Sequence, residues 1–256
     1  MVDNLNIEMF SGYISSFLFI LLRTSIFIGL MPVLGGKQMP LQFRIGLVVV
    51  ISMILTPVVK FDIAENSIPL LIVKEMLIGV ALGLTVRFLF MAVNMAGVFI
   101  SHAMGMSLAQ VFNPEFGQST SIAEVYGVMA MLIFLTMDAH HDLIFIFVKS
   151  FELLPGGQVN ILPLVPEMVK VVSGYFTLAL KLAAPIMVGL FIAHLLTGFL
   201  YKAAPQMNIF FITLPLNIFL GFFLMILSVP VFERIIGISF SDLRGEMARI
   251  IMMAKG

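Results

Sequence analysis

Six long apolar runs dominate the chain, at about residues 9–34, 41–59, 69–106, 123–148, 169–200 and 209–232. A helix crossing a bilayer needs about 20 mostly apolar residues, so the pattern predicts an all-α, polytopic helical membrane protein built of long, broken hairpins. The third run, residues 69–106, would be about 57 Å long if helical throughout. It must therefore tilt, bend, double back or leave the membrane. Short breaks punctuate the runs at Gly35, Gly36 and Pro40, from Asn66 to Pro69, at Pro155, Gly156 and Gly157, and at Pro205. None reads as a linker to a second soluble domain. The tail from Ser239 onward predicts a separate short surface helix with Ser241 or Asp242 as its N-cap. The first run does not read as a cleaved signal peptide, because Asp3 and Glu8 precede it without a basic residue and the run is too long.

If all six runs cross, Lys60, Lys74, Lys149, Lys170, Arg234, Arg244, Arg249 and Lys255 gather on one side. Lys37, Arg44 and Lys202 lie on the other, which places both termini in the cytoplasm.

Composition sharpens this picture. The chain is 61% hydrophobic and 11% charged, with a mean hydropathy of +1.12. Soluble domains are about 45–50% apolar and about 25% charged, so a soluble globular protein is excluded. Fourteen basic residues balance fourteen acidic ones, which excludes a nucleic-acid binder relying on bulk electrostatics. Cysteine is absent, and disulfides, thiolate metal sites and a Cys nucleophile go with it. Tryptophan is also absent and tyrosine numbers only four, a thin interfacial belt. One explanation is that much of the surface meets protein rather than lipid.

Charges within the apolar runs cost about 2.5–3.5 kcal/mol each on insertion scales, so each asks for a partner. They are Arg23, Lys74, Glu75, Arg87, Glu124 and Lys181. Glu75, Gly79, Gly83 and Arg87 are spaced by four and form one helical stripe, two small residues between opposite charges. Gly97, Ser101 and Gly105 repeat the small-residue spacing. Helix packing and assembly is the ordinary reading of both stripes. A proton relay would want several carboxylates in series, and the runs offer Glu75 and the peripheral Glu124. Met91, Met95, Met104 and Met106 are either ordinary filling or a soft seal around a conduit.

The stretch holding Asp138, His140, His141 and Asp142 has metal-ligand residue types. Adjacent histidines on a helix point about 100° apart, however, and no further cluster closes a shell. The reading is a polar helix end followed by a short turn, with no metal and no other cofactor. H-E-x-x-H, G-x-S-x-G, Walker A and G-x-G-x-x-G motifs are all missing, so no catalytic residue is expected.

Two stretches break the apolar pattern in a specific way. Gln110, Phe112, Asn113, Pro114, Phe116 and Gly117 form a loop signature, since Pro114 disfavours helix at Asn113 and Gly117 permits positive φ. At membrane depth such a loop must be buried by protein or received by a cavity. Pro205, Gln206, Met207 and Asn208 mark a tight turn between two long helices, with Pro215 and Asn217 inside the second. On these residues, with Arg23 to Pro32, Pro40, Arg44, His140, His141, Ser150, Phe151, Pro155, Ala184 and Pro185 in the same order, the chain resembles the FliR family along its whole length. FliR is a component of the flagellar type III export gate, and its injectisome counterpart is SctT.

The resemblance implies a non-enzymatic subunit of the inner membrane. It would assemble with FliP and FliQ homologues, with FlhB and FlhA alongside, into a channel for unfolded flagellar subunits. It further implies a FliP-like part over about 1–168, a FliQ-like hairpin and tail over about 169–256, and a pore plug at Gln110–Ser119 with Phe112 and Phe116 as seals. Pro205, Gln206, Asn208 and Asn217 join the assembly residues. An injectisome subunit is the alternative. A more distant one is an independent secondary transporter, with Glu75, Arg87 and Asn217 lining a midplane site between broken helices.

Overall fold

Each apolar run becomes helical in the computed structural model, which describes residues 2–32, 39–59, 68–106, 121–155, 159–203 and 209–255. Among the described residues there are seven α-helices and no strand: α1 (Val2–Leu30), α2 (Leu41–Leu55), α3 (Ile68–Ala103), α4 (Ser121–Thr136), α5 (Ala139–Leu153), α6 (Leu164–Ala203) and α7 (Ile209–Lys255). By length and composition four of them can cross a membrane, or five spans exist if the bent pair α4–α5 counts as one. The six runs are thus all present as helix, while among the described residues length and composition support four or five crossings. At 15 residues α2 is about 22 Å long, short of a hydrocarbon core of about 30 Å.

Local chemistry sets the helix ends. Pro40 precedes α2 with φ −56° and ψ 138°, an extended geometry that its ring permits and that starts the helix cleanly. Ser52 and Thr56 return their hydroxyls to the carbonyls of Val48 and Ser52, at 2.7 Å each, which hides two polar groups in an apolar segment. Between α4 and α5 the chain turns at Asp138, whose φ of 54° makes it the one non-glycine residue with positive φ among the described residues. Aspartate tolerates the left-handed region better than most residues. That residue divides the fourth apolar run into two helices.

The third run does not double back: α3 is one helix of 36 residues. Helices α6 and α7 accommodate Pro185, and Pro215 with Pro230, in their interiors. The expected separate tail helix is not found. Residues from Ser239 onward continue α7 to Lys255, and Ser241 and Asp242 are exposed mid-helix positions rather than caps. Leu243, Met247, Ile250, Ile251 and Ala254 are buried. Their spacing of three and four carries one apolar stripe through the charges, and no proline or unfavourable turn interrupts it. Lys74 and Lys170 likewise lie within α3 and α6 rather than in loops, so the charge count behind the expected topology does not rest on loop residues alone.

The chain divides into two compact units, each discontinuous in sequence. Unit 1 comprises residues 1–88, 138–172 and 241–256. In it α1 packs against α2, and Phe27 stacks on Phe147 with ring centroids 4.3 Å apart. The amide of Asn160 donates to the carbonyl of Ala254 at 2.7 Å, tying the end of α7 to the segment before α6. Arg244 donates to Asp142 at 3.0 Å and lies over the Phe145 ring. Unit 2 comprises residues 89–137 and 173–240. Its core holds an aromatic cluster in which Phe134 meets Phe90 and Phe240 edge-on, at 5.6 and 5.2 Å. Tyr126 meets Phe232 edge-on at 4.8 Å.

Candidate functional site

The most elaborate polar arrangement lies inside unit 1. Arg23 on α1 and Glu75 on α3 are both fully buried. The guanidinium engages the carboxylate with both prongs, Nε to Oε2 at 2.6 Å and Nη2 to Oε1 at 2.8 Å. Nη1 donates to the Ser150 hydroxyl at 3.1 Å, and Nη2 also reaches the Leu154 carbonyl at 3.4 Å. The Phe151 ring lies 4.1 Å beneath the guanidinium carbon. The Ser150 hydroxyl in turn donates to the Phe147 carbonyl at 2.6 Å. A two-pronged carboxylate with further hydrogen bonds is the geometry in which a buried ion pair recovers its desolvation cost. One charged node thus joins α1, α3 and α5.

The glycines that follow Glu75 set how closely α3 approaches α1. A methyl group added at Gly79 would stand 3.2 Å from the Arg23 carbonyl oxygen and from Ile26 Cβ; at Gly83 it would stand 2.8 Å from Leu30 Cβ. Close backbone approach is what small residues permit at helix interfaces. Arg87, the fourth member of the stripe, is exposed. Four residues advance a helix by about 400°, so twelve residues rotate a side chain about 120° from the starting face, and Arg87 leaves the interface. Glu124 and Lys181 are also exposed, while Lys74 is half-buried.

Gly79→Leu and Gly83→Leu are expected to lose about 1–3 kcal/mol of stability by overpacking. Gly29→Leu should lose little, because a methyl there meets nothing within 4 Å. Thermal unfolding of the three purified variants checks this, and equal melting temperatures would refute the close-approach role.

In unit 2 the second small-residue stripe meets α4 and α7. A methyl at Gly97 would lie 2.4 Å from Ala123 Cα, and Gly105 has φ 81° with Leu214 Cδ1 at 3.0 Å. Ser101 is buried, and its hydroxyl has no hydrogen-bond partner among the described residues. Met104 is fully buried against Gly221, Met91 is exposed, and Met95 and Met106 are half-buried. Asn217 is buried and its amide pairs with His194 Nε2 at 2.8 Å, while its Oδ1 has no partner among the described residues.

Asp138, His140 and His141 come together at the start of α5, with ligand atoms within 4.8 Å of one another. The two imidazole rings, on adjacent residues of α5, are 4.1 Å apart and tilted. Gln110, Phe112, Asn113, Pro114, Phe116, Gly117, Pro205, Gln206 and Asn208 lie outside the described residues.

Sequence reasoning missed the partners of Arg23. Ser150 and the Leu154 carbonyl are 127 and 131 residues away in the chain, a separation that local spacing does not reveal. The His194–Asn217 pair also escaped it, though Asn217 stood out as a polar group inside an apolar helix.

Comparison with known proteins identifies the family. The family described as "Bacterial export proteins, family 1" matches residues 14–243. The flagellar biosynthetic protein FliR of Escherichia coli (strain K12) is 31% identical over 253 residues, covering 95% of each chain. Its counterpart in Bacillus subtilis (strain 168) is 31% identical over 227 residues, 84% of this chain and 86% of its own. That of Aquifex aeolicus (strain VF5) is 30% identical over 230 residues, 90% and 87% respectively. With a family match over nearly its full length and relatives of this similarity, the chain belongs to the FliR family of bacterial export proteins.

Proposed function

We propose that this chain is a non-enzymatic structural subunit of the flagellar type III export gate in the bacterial inner membrane. It forms with FliP and FliQ homologues the channel through which unfolded flagellar subunits pass, with FlhB and FlhA as neighbours. Family membership along residues 14–243, with relatives named as flagellar biosynthetic proteins, carries the reading and favours the flagellar over the injectisome assembly.

Two structural features support it. Arg87 and Lys181 stand exposed in the middle of apolar helices, where contact with lipid would cost about 2.5–3.5 kcal/mol each. A protein partner or a water-filled passage removes that cost. In the most apolar window of α7 only 17% of the residues are buried, against 56% for α3, so α7 offers an apolar face to whatever surrounds the chain.

In this proposal residues 1–168 are the FliP-like part and 169–256 the FliQ-like hairpin. Gln110, Phe112, Asn113, Pro114, Phe116 and Gly117 plug the passage. Arg23, Glu75, Gly79, Gly83, Arg87, Pro205, Gln206, Asn208 and Asn217 serve packing and assembly, and Met91, Met95, Met104 and Met106 contribute to the seal.

The deciding experiment is the native mass of the detergent-extracted particle after co-expression with FliP and FliQ homologues. A defined hetero-oligomer containing this chain is expected. A lone monomer or homodimer beside expressed partners would overturn the proposal and favour an independent transporter. The plug assignment has its own check. Pro114→Ala and Gly117→Ala should raise ion leak through the reconstituted complex, and unchanged conductance would remove the plug role.

A further inference from the structure

We infer that Asp138, His140 and His141 form a labile binding site for a divalent transition metal, of the Zn²⁺, Ni²⁺ or Cu²⁺ class. On an uninterrupted helix residues 138 and 140 would point about 200° apart. Here Asp138 adopts the left-handed conformation, with φ 54° and ψ 22°. The turn brings its carboxylate to the same side as the first turn of α5. The carboxylate makes no capping hydrogen bond to that helix. It lies instead 3.6 Å from His141 Nδ1, with the His140 ligand atom inside the same 4.8 Å group.

Ligands around tetrahedral zinc, with bonds of about 2.0–2.1 Å, are separated by about 3.4 Å. The Asp138–His141 edge already has nearly that length. The widest separation in the group closes by side-chain rotation, which is easy because the Asp138 and His141 side chains are each 72% exposed. Asp142, one turn beyond Asp138, is engaged by Arg244 at 3.0 Å. Water would therefore supply the remaining coordination, and an ion could enter and leave from solvent.

Donor chemistry selects the class. Two imidazoles and one carboxylate suit zinc, nickel and copper, whereas calcium and magnesium prefer shells of oxygen. The positive end of the α5 dipole opposes a cation, but it is a partial charge felt within one turn. The full negative charge of Asp138 stands against it.

The test uses the full chain, purified in detergent with a tag lacking histidine and stripped by chelator. Titration with Zn²⁺ alone should show one ion bound per chain, and Cu²⁺ should give an electron paramagnetic resonance spectrum with two imidazole nitrogens coupled to copper. His140→Ala and His141→Ala should each weaken Zn²⁺ binding by at least about 10-fold, since even outer partners of metal ligands are worth that much. Each should also remove one nitrogen coupling. His102→Ala and His194→Ala should change neither readout.

Asp138→Asn keeps a residue type that tolerates the left-handed backbone and should still lose at least about 10-fold in Zn²⁺ affinity. It therefore decides the matter even if the histidine variants fail to fold. No Zn²⁺ bound by the wild-type chain, or wild-type affinity in Asp138→Asn or in the folded histidine variants, would overturn the inference.

Discussion

Glu75→Gln is expected to destabilise the protein by about 3–5 kcal/mol, the usual cost of removing one member of a buried ion pair. The substitution preserves shape and leaves Arg23 charged, fully buried and without the carboxylate that receives two of its hydrogen bonds. Ser150 and the Leu154 carbonyl remain as partners, but neither carries a charge. The face of Phe151, 4.1 Å away, offers about 2 kcal/mol to a desolvated cation, too little to compensate.

Replacing both partners together, as Arg23→Met with Glu75→Leu, should recover most of the loss. Apolar side chains of similar volume are often as stable as the pair they replace. Chemical unfolding of the two variants against wild type measures this. The charged node would lose its structural role if Glu75→Gln unfolded within about 1 kcal/mol of wild type, the range of an ordinary surface pair.

The second large effect is expected at Gly97. Gly97→Ala places a methyl group 2.4 Å from Ala123 Cα and 2.8 Å from Ala123 N, so the obstruction is the backbone of α4 and no rotamer relieves it. Helices α3 and α4 must separate, at a cost at the upper end of the roughly 1–3 kcal/mol typical of overpacking. Gly221→Ala meets the Met104 side chain at 2.5 to 2.7 Å, and a flexible thioether yields more readily than a main chain. Gly127→Ala meets nothing within 4 Å and should be neutral or slightly stabilising through its helix propensity. Melting temperatures should fall in the order Gly127→Ala, Gly221→Ala, Gly97→Ala. A Gly97→Ala protein as stable as Gly127→Ala would show that α3 and α4 do not meet at this point.

Several of these features were visible before any coordinates. The apolar runs marked every helix, since a chain in lipid must satisfy its backbone internally and the helix does so with local hydrogen bonds. Arg23 and Glu75 were legible as charges needing partners, because burial in an apolar run is itself a statement about cost. The Gly79 and Gly83 spacing indicated close approach but not to which helix. The tail after Ser239 was misjudged because Ser241 and Asp242 resemble an N-cap, while the stripe from Leu243 to Ala254 continues a helix already under way.

By itself, then, the sequence determined the solvent, the helical class, the family and the residues for which burial would be expensive. These follow from composition and short-range spacing, which act within one element. Tertiary structure decided that Glu75 rather than another group meets Arg23 and that Ser150 and Phe151 complete the node. It also decided that a left-handed Asp138 brings its carboxylate beside the two histidines of α5. Each of these depends on the pairing of segments far apart in the chain or on one backbone torsion. Local periodicity carries no information about either, because the energy that selects them comes from packing between elements.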